Sequence, residues 1–164
     1  RSDSAIDTKA SLSPHSNVTL VSLSGDWAIE GEHLGLFADL RAFQPALGGV
    51  MAARLTYRQE LNDEAGFYLW PSAGGAEFHR GARTGRWRAP AVATFDLEQR
   101  WMKQKPLEWV VFVDGAWVQS EGFHPGVGTG LRIVLPPEDY NVVRLDLAFS
   151  DTGWGLSGAW GETF

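Results

Sequence analysis

The sequence predicts an all-β protein built as a transmembrane antiparallel β-barrel, and three observations carry that prediction. Apolar residues recur at every second position in windows of about ten residues, and the helical period never wins. Clusters of Gly, Pro, Asn and Asp separate the windows, which is the strand signal. Within each window the charged residues share one parity, and successive strand side chains point to opposite faces.

Taken in order, residues 1–17 are Ser- and Asp-rich with no apolar period and read as a flexible N-terminal segment. Strands are expected near 18–28, 33–43, 47–58, 91–101, 106–118, 125–135, 141–149 and 154–164. In Ala91–Trp101, Asp96, Glu98 and Arg100 oppose Ala93, Phe95, Leu97 and Trp101. In Leu107–Val118, Glu108 and Asp114 oppose Leu107, Trp109, Val111, Val113 and Trp117. In Asn141–Phe149, Arg144 and Asp146 oppose Val143, Leu145, Leu147 and Phe149. Asp39 with Arg41, and Arg54 with Arg58, follow the same rule; Glu162 alone falls on an apolar face.

A soluble sandwich or a lipocalin-like fold also alternates. What favours the membrane barrel is long windows whose charged face carries both signs while the other carries Trp, Leu and Val. Bilayer hydrocarbon offers no water to free backbone groups, so strands span it only in a closed sheet. Trp27, Trp101, Trp117, Trp154 and Trp160 lie toward strand ends, where an interfacial aromatic girdle belongs.

Composition narrows the function. The 164 residues hold 14 Lys+Arg, 20 Asp+Glu, eight Trp and no Cys, for a net charge of −6. No disulfide, thiolate metal site or cysteine nucleophile is available, and the acidic balance argues against nucleic acid as a partner. No run approaches the roughly 18 apolar residues of a spanning helix. With no signal peptide and Arg1 rather than Met at its start, the chain reads as a mature product or a fragment.

The connection from about Glu60 to Pro90 is too long for an ordinary turn and too apolar for a solvated loop, with Phe67, Tyr68, Trp70, Phe78 and Trp87 along it. It is expected to fold inward.

Leu69–Gly75, followed by Arg80-Gly81 and Gly85-Arg86-Trp87-Arg88, resembles the loop of the bacterial surface antigen family, the superfamily of BamA, TamA and the two-partner secretion transporters. Phe95–Arg100, Phe112-Val-Asp114-Gly, His124–Arg132 and Val143–Phe149 resemble its following strands, and Phe37–Arg41 and Met51–Arg54 its preceding ones. The resemblance covers about residues 33–164. It implies the C-terminal half of a sixteen-stranded outer-membrane barrel, the remaining N-terminal strands lying on another segment or chain. Self-closure of the eight strands and completion by a second copy are the alternatives.

The resemblance also implies that the loop is held in the lumen by Arg80 and Gly81 against Glu98, Phe112 and Asp114. Two departures bear on this seating: Ala116 stands where the family has Gly, and Ala82 where it has an aromatic. The terminal strand, with Trp154, Leu156, Trp160 and Phe164 on one parity, would pair weakly with the first strand and form a seam. The implied partners are outer-membrane lipid and client outer-membrane or secreted proteins, with no cofactor. Gly153, Gly155, Gly158 and Gly161 either loosen this strand or make room for neighbouring aromatics.

Other readings are a small outer-membrane lipid hydrolase using Ser72 and one of His33, His79 and His124, a barrel that anchors or exports a fused domain, and a soluble β-domain binding carbohydrate or peptide through exposed Trp.

Overall fold

The computed structural model describes the backbone over residues 20–30, 33–104, 106–135 and 141–161, and side chains over 35–101, 106–135 and 142–161. The N-terminal segment 1–17, the side chains of Trp27 and His33, and Glu162 and Phe164 lie outside the described residues.

The strands are β1 (Leu20–Glu30), β2 (His33–Ala46), β3 (Gly49–Glu60), β4 (Ser72–Ala73), β5 (Trp87–Arg88), β6 (Ala91–Gln104), β7 (Leu107–Val118), β8 (Gly122–Leu135), β9 (Asn141–Ser150) and β10 (Gly153–Trp160). All but β4 and β5 form one antiparallel sheet in the order β1-β2-β3-β6-β7-β8-β9-β10. Each strand therefore pairs with its neighbour in the chain, apart from the step across the long loop. Among the described residues β1 and β10 do not pair with each other, so the eight strands form an open sheet and not the self-closed small barrel.

The expected strands keep their places and shift at one or both ends. The third strand starts at Gly49, because Leu47 and Gly48 form the hairpin turn with φ of 52° and 73°. Two-residue hairpins favour positive φ at both central positions, which matches the right-handed twist of the strands they join. Leu47 pays a steric cost there, and Trp101 Nε1 pins the turn by donating to the Leu47 carbonyl at 2.9 Å. The long loop is not without structure either: β4 and β5 pair within it as a miniature ladder.

The parity rule holds strand by strand. Among the described side chains of the eight main strands, every Asp, Glu and Arg lies on one face, where Asp39, Arg54, Glu60, Asp96, Glu98, Asp114, Arg132, Arg144 and Asp146 are buried. The opposite face exposes Leu36, Leu40, Leu55, Leu97, Val113, Val127, Leu131, Leu145 and Leu147 without a charge among them. Rings mark both ends of that face. Trp101, Trp109 and Trp160 lie toward the end with the 47–48 and 105–106 connections, and Trp117, Phe123, Phe149 and Trp154 toward the end with the long loop and the 119–121 turn.

Candidate functional site: the loop on the charged face

The loop is shaped before it is docked. Ser72–Ala73 pairs with Trp87–Arg88, Ala89 N donates to the Pro71 carbonyl, and Arg88 Nη1 donates to the carbonyls of Tyr68 and Trp70. Gly74 and Gly75 turn the chain with φ of 104° and 96°, in the left-handed region that glycine enters without steric cost. The Gly75 N–H lies 3.1 Å from the His79 carbonyl and 2.9 Å from that of Ala82. The result is a compact tip presenting His79, Arg80 and Gly81.

Arg80 is the centre of the site. Its Nε and Nη2 donate to Asp114 Oδ2 and Oδ1 at 3.0 and 2.6 Å, and its backbone N–H donates to Asp114 Oδ2 at 3.0 Å. Nη1 donates to Glu98 Oε2 at 2.6 Å, and the guanidinium carbon stands 3.3 Å from the Phe112 ring centroid. Glu98 is fully buried and also accepts from Arg100 Nε at 2.7 Å and Arg132 Nη2 at 3.0 Å; Arg132 in turn donates to Asp146. Register explains the need for a cation from outside the sheet. Asp96 and Asp114 are directly opposed across β6 and β7, and Arg80 Nη2 lies 3.8 Å from Asp96. Two facing carboxylates repel, and a guanidinium hydrogen-bonded to Asp114 and close to Asp96 relieves that repulsion. Burial disfavours the charge on Arg80, but the hydrogen bonds and attraction of Asp114, with Glu98 and Asp96, outweigh it and raise the pKa above the usual arginine value.

The sequence-predicted set Arg80, Glu98, Phe112 and Asp114 thus comes together within direct contact. Gly81 sits against Ser150, whose Oγ donates to the Gly81 carbonyl at 3.0 Å; a Cβ on Gly81 would stand 2.8 Å from Ser150 Cβ. The two departures from the family pattern meet in one place, since Ala82 and Ala116 belong to the apolar cluster around the buried Trp87. Trp87 supplies a ring beside Ala82.

Several contacts carried no sequence signal. Phe78 lies under Arg58 at 3.8 Å and near Arg54 at 5.7 Å, and Arg58 donates to the Ser72 carbonyl, so β3 grips the loop from the other side. Trp87 stacks on His124 at 4.2 Å and meets His79 edge-on at 5.2 Å. Such contacts depend on which strand the loop crosses, and period-two patterning is silent on that. One expectation is corrected: Phe67 and Tyr68 are exposed, because the loop is covered in patches, at Ala65, Ala73–Gly75, His79–Ala82, Trp87 and Ala89, and the two rings fall outside them.

Among the described residues no Ser–His pair forms. His79 Nε2 lies 3.2 Å from the His124 carbonyl, the Ser72 carbonyl serves Arg58, and His124 Nδ1 meets Asp151 Oδ2 at 2.6 Å while its Nε2 is buried without a hydroxyl partner among the described residues. No group of three or more metal-ligating side chains occurs among the described residues.

On the terminal strand, Trp154, Leu156 and Trp160 are 71, 72 and 68% exposed. Its glycines do not make room for rings. Gly155 faces the Arg80 carbonyl, Gly158 faces Leu145 and the Arg144 carbonyl, and Gly153 and Gly161 adopt positive φ at the strand ends. A recess of about 650 Å³ separates β10 from the second limb of the loop, with Arg83, Thr84, Arg86 and Ser157 on its walls.

No protein-family model matches the chain, and no curated protein matches it. No helix among the described residues is long and apolar enough to cross a membrane, which bears only on helical spans.

Proposed function

We propose that this chain forms the C-terminal half of a sixteen-stranded outer-membrane β-barrel of the surface antigen type, which inserts or exports client proteins through a seam at its last strand. The observation that carries the reading is the division of the sheet into an uncharged apolar face and an ionic face covered by the loop. Exposed Leu and Val across seven adjacent strands suit hydrocarbon, and the charged face suits a lumen. Trp109 and Trp117, eight residues apart on β7, are separated by about 26 Å of strand, which at the tilt of such barrels spans about 20 Å of height, most of their apolar band. The long loop lies at the end opposite the two-residue 47–48 connection, as long loops and short turns do in outer-membrane barrels, and shares its end with the 119–121 and 151–152 turns.

An open sheet cannot face lipid with two unpaired edges, so further strands must complete it. Mechanistically, the loop fixes the charged face, while β10 pairs only weakly with the first strand of the completed barrel, so the seam can open and present its edge for strand addition, in which main-chain hydrogen bonds supply affinity. No cofactor takes part in this scheme.

The test is reconstitution. The intact protein in lipid vesicles is expected to accelerate insertion of an unfolded outer-membrane barrel client, and Gly158→Pro, which removes a backbone donor and stiffens β10, is expected to abolish the acceleration. A protein that is monomeric in water without detergent, or vesicles that gain nothing from it, would overturn the proposal.

A further inference from the structure

We propose that β8 positions Arg80 through two glycines that never touch it: Gly126 seats His79, and Gly128 seats Phe112. The inference rests on the docked loop of the preceding section and deepens it by naming what sets the height of the Arg80 junction.

The inward residues of β8 include His124, Gly126, Gly128, Gly130 and Arg132. Gly128 is the register partner of Phe112, and a Cβ there would overlap the Phe112 ring and the Leu147 carbonyl. The ring therefore lies down on bare backbone, and Arg80 lies 3.3 Å above its centroid. Cation–π attraction of this kind falls off with distance from the ring face, so the floor under Phe112 sets where the guanidinium rests.

Gly126 acts one residue away in the loop. A Cβ built on it would stand 2.8 Å from His79 Cε1 and 3.2 Å from Nε2, while its nearest backbone neighbour, the Phe149 carbonyl, lies at an ordinary 3.5 Å. His79 cannot yield. It is fully buried, its Nε2 is held 3.2 Å from the His124 carbonyl, and Trp87 closes on it edge-first at 5.2 Å. Lifting His79 lifts Arg80, the next residue, away from Asp114. Only glycine at 126 leaves the imidazole its place, and here the reason is close approach, not backbone conformation.

The experiment is a double-mutant cycle in the intact, membrane-embedded protein, read by maleimide labelling of Ala82→Cys. The chain has no cysteine of its own, and Ala82 is buried in the docked loop. Gly126→Ala is expected to raise the labelling rate at position 82 about fivefold, a typical coupling for residues in contact. In a His79→Ala background, where the imidazole is gone, Gly126→Ala is expected to add nothing. Val127→Ala, on the outward face of the same strand, serves as the control and is expected to leave labelling unchanged.

Equal effects of Gly126→Ala in both backgrounds, or no effect in either, would overturn the inference. Should Gly126→Ala alone fail to fold, recovery of folded protein on adding His79→Ala supports it, and failure of both contradicts it. Rapid labelling of Ala82→Cys in the otherwise unaltered chain would instead overturn the docked loop itself. Because the assay involves no client, loss of the insertion activity proposed above would leave its outcome intact.

Discussion

The middle of the sheet and its last strand are built from the same alternating pattern and end in opposite states. On β6 to β9 the inward residues are buried and tied across strands: Glu98 serves Arg80, Arg100 and Arg132, and Arg132 reaches Asp146. On β10 the inward positions hold Gly155 and Ser157, and the outward ones hold bare Trp and Leu. The backbone ladder is continuous through both regions. Hydrogen-bonded pairing is thus common to the two, and what separates them is side-chain cross-linking by charge. The loop accentuates the contrast, because its hydrogen bonds to carboxylates fall on β6 and β7 and its longer ion pair to Asp146 on β9, whereas on β10 Gly155 faces the Arg80 carbonyl.

If the ion cluster is what fixes the middle, reversing its central charge has the largest effect. Arg80→Glu sets a carboxylate among Glu98, Asp114 and Asp96, and is expected to cost at least about 3–5 kcal/mol, the scale of a broken buried pair. Adding Asp114→Arg is expected to return part of the loss in a denaturant or thermal melt. Unchanged stability of the single variant would mean that the middle is held by something else.

Trp87→Ala comes next, at about 3 kcal/mol or more, since it empties the space between His79 and His124 and uncovers Ala82 and Ala116. Glu98→Gln keeps the shape but removes the charge shared by three arginines, and about 1–3 kcal/mol is expected by the same melt. Thr56 and Thr94 share a buried hydroxyl bond at 2.6 Å across β3 and β6, so Thr56→Val is expected to cost about 1 kcal/mol. The smallest effect belongs to the edge. A Cβ on Gly158 meets only ordinary contacts with Leu145 and Arg144, and Gly158→Ala is expected to change stability by less than about 0.5 kcal/mol. Amide hydrogen exchange sharpens the same contrast: β10 amides are expected to exchange well before those of β7. Equal protection on the two strands would remove the distinction.

The strands were legible because one physical rule, the alternation of side chains about a pleated backbone, acts on every residue of them. Asp96, Glu98, Asp114 and Asp146 declared their face through their neighbours alone. The Arg80 junction was legible only through the resemblance to the surface antigen family, since no periodicity links residue 80 to residues 98 and 114. The seat of the loop was not legible. Gly126 and Gly128 fall inside an expected strand with no sign of what they face until the register sets Gly128 against Phe112 and the loop lays His79 over Gly126. Phe67 and Tyr68 misled for a related reason: hydrophobic content predicts burial on average, and where a loop limb enters the fold is decided by its anchors, here Arg58 on Ser72 and Arg88 on Trp70.

The proposal that the uncharged face of the sheet meets lipid and the charged face a lumen is tested most directly on β9. Spin labels on single cysteines at residues 145 to 149, in the bilayer-embedded protein, report contact with lipid or with water. Positions Leu145, Leu147 and Phe149 are expected to be accessible to oxygen in the hydrocarbon and closed to a water-soluble relaxer, with Asp146 and Ala148 closed to hydrocarbon oxygen. Loss of that alternation, or free access of the water-soluble relaxer to Leu145 and Leu147, would contradict a membrane-spanning sheet.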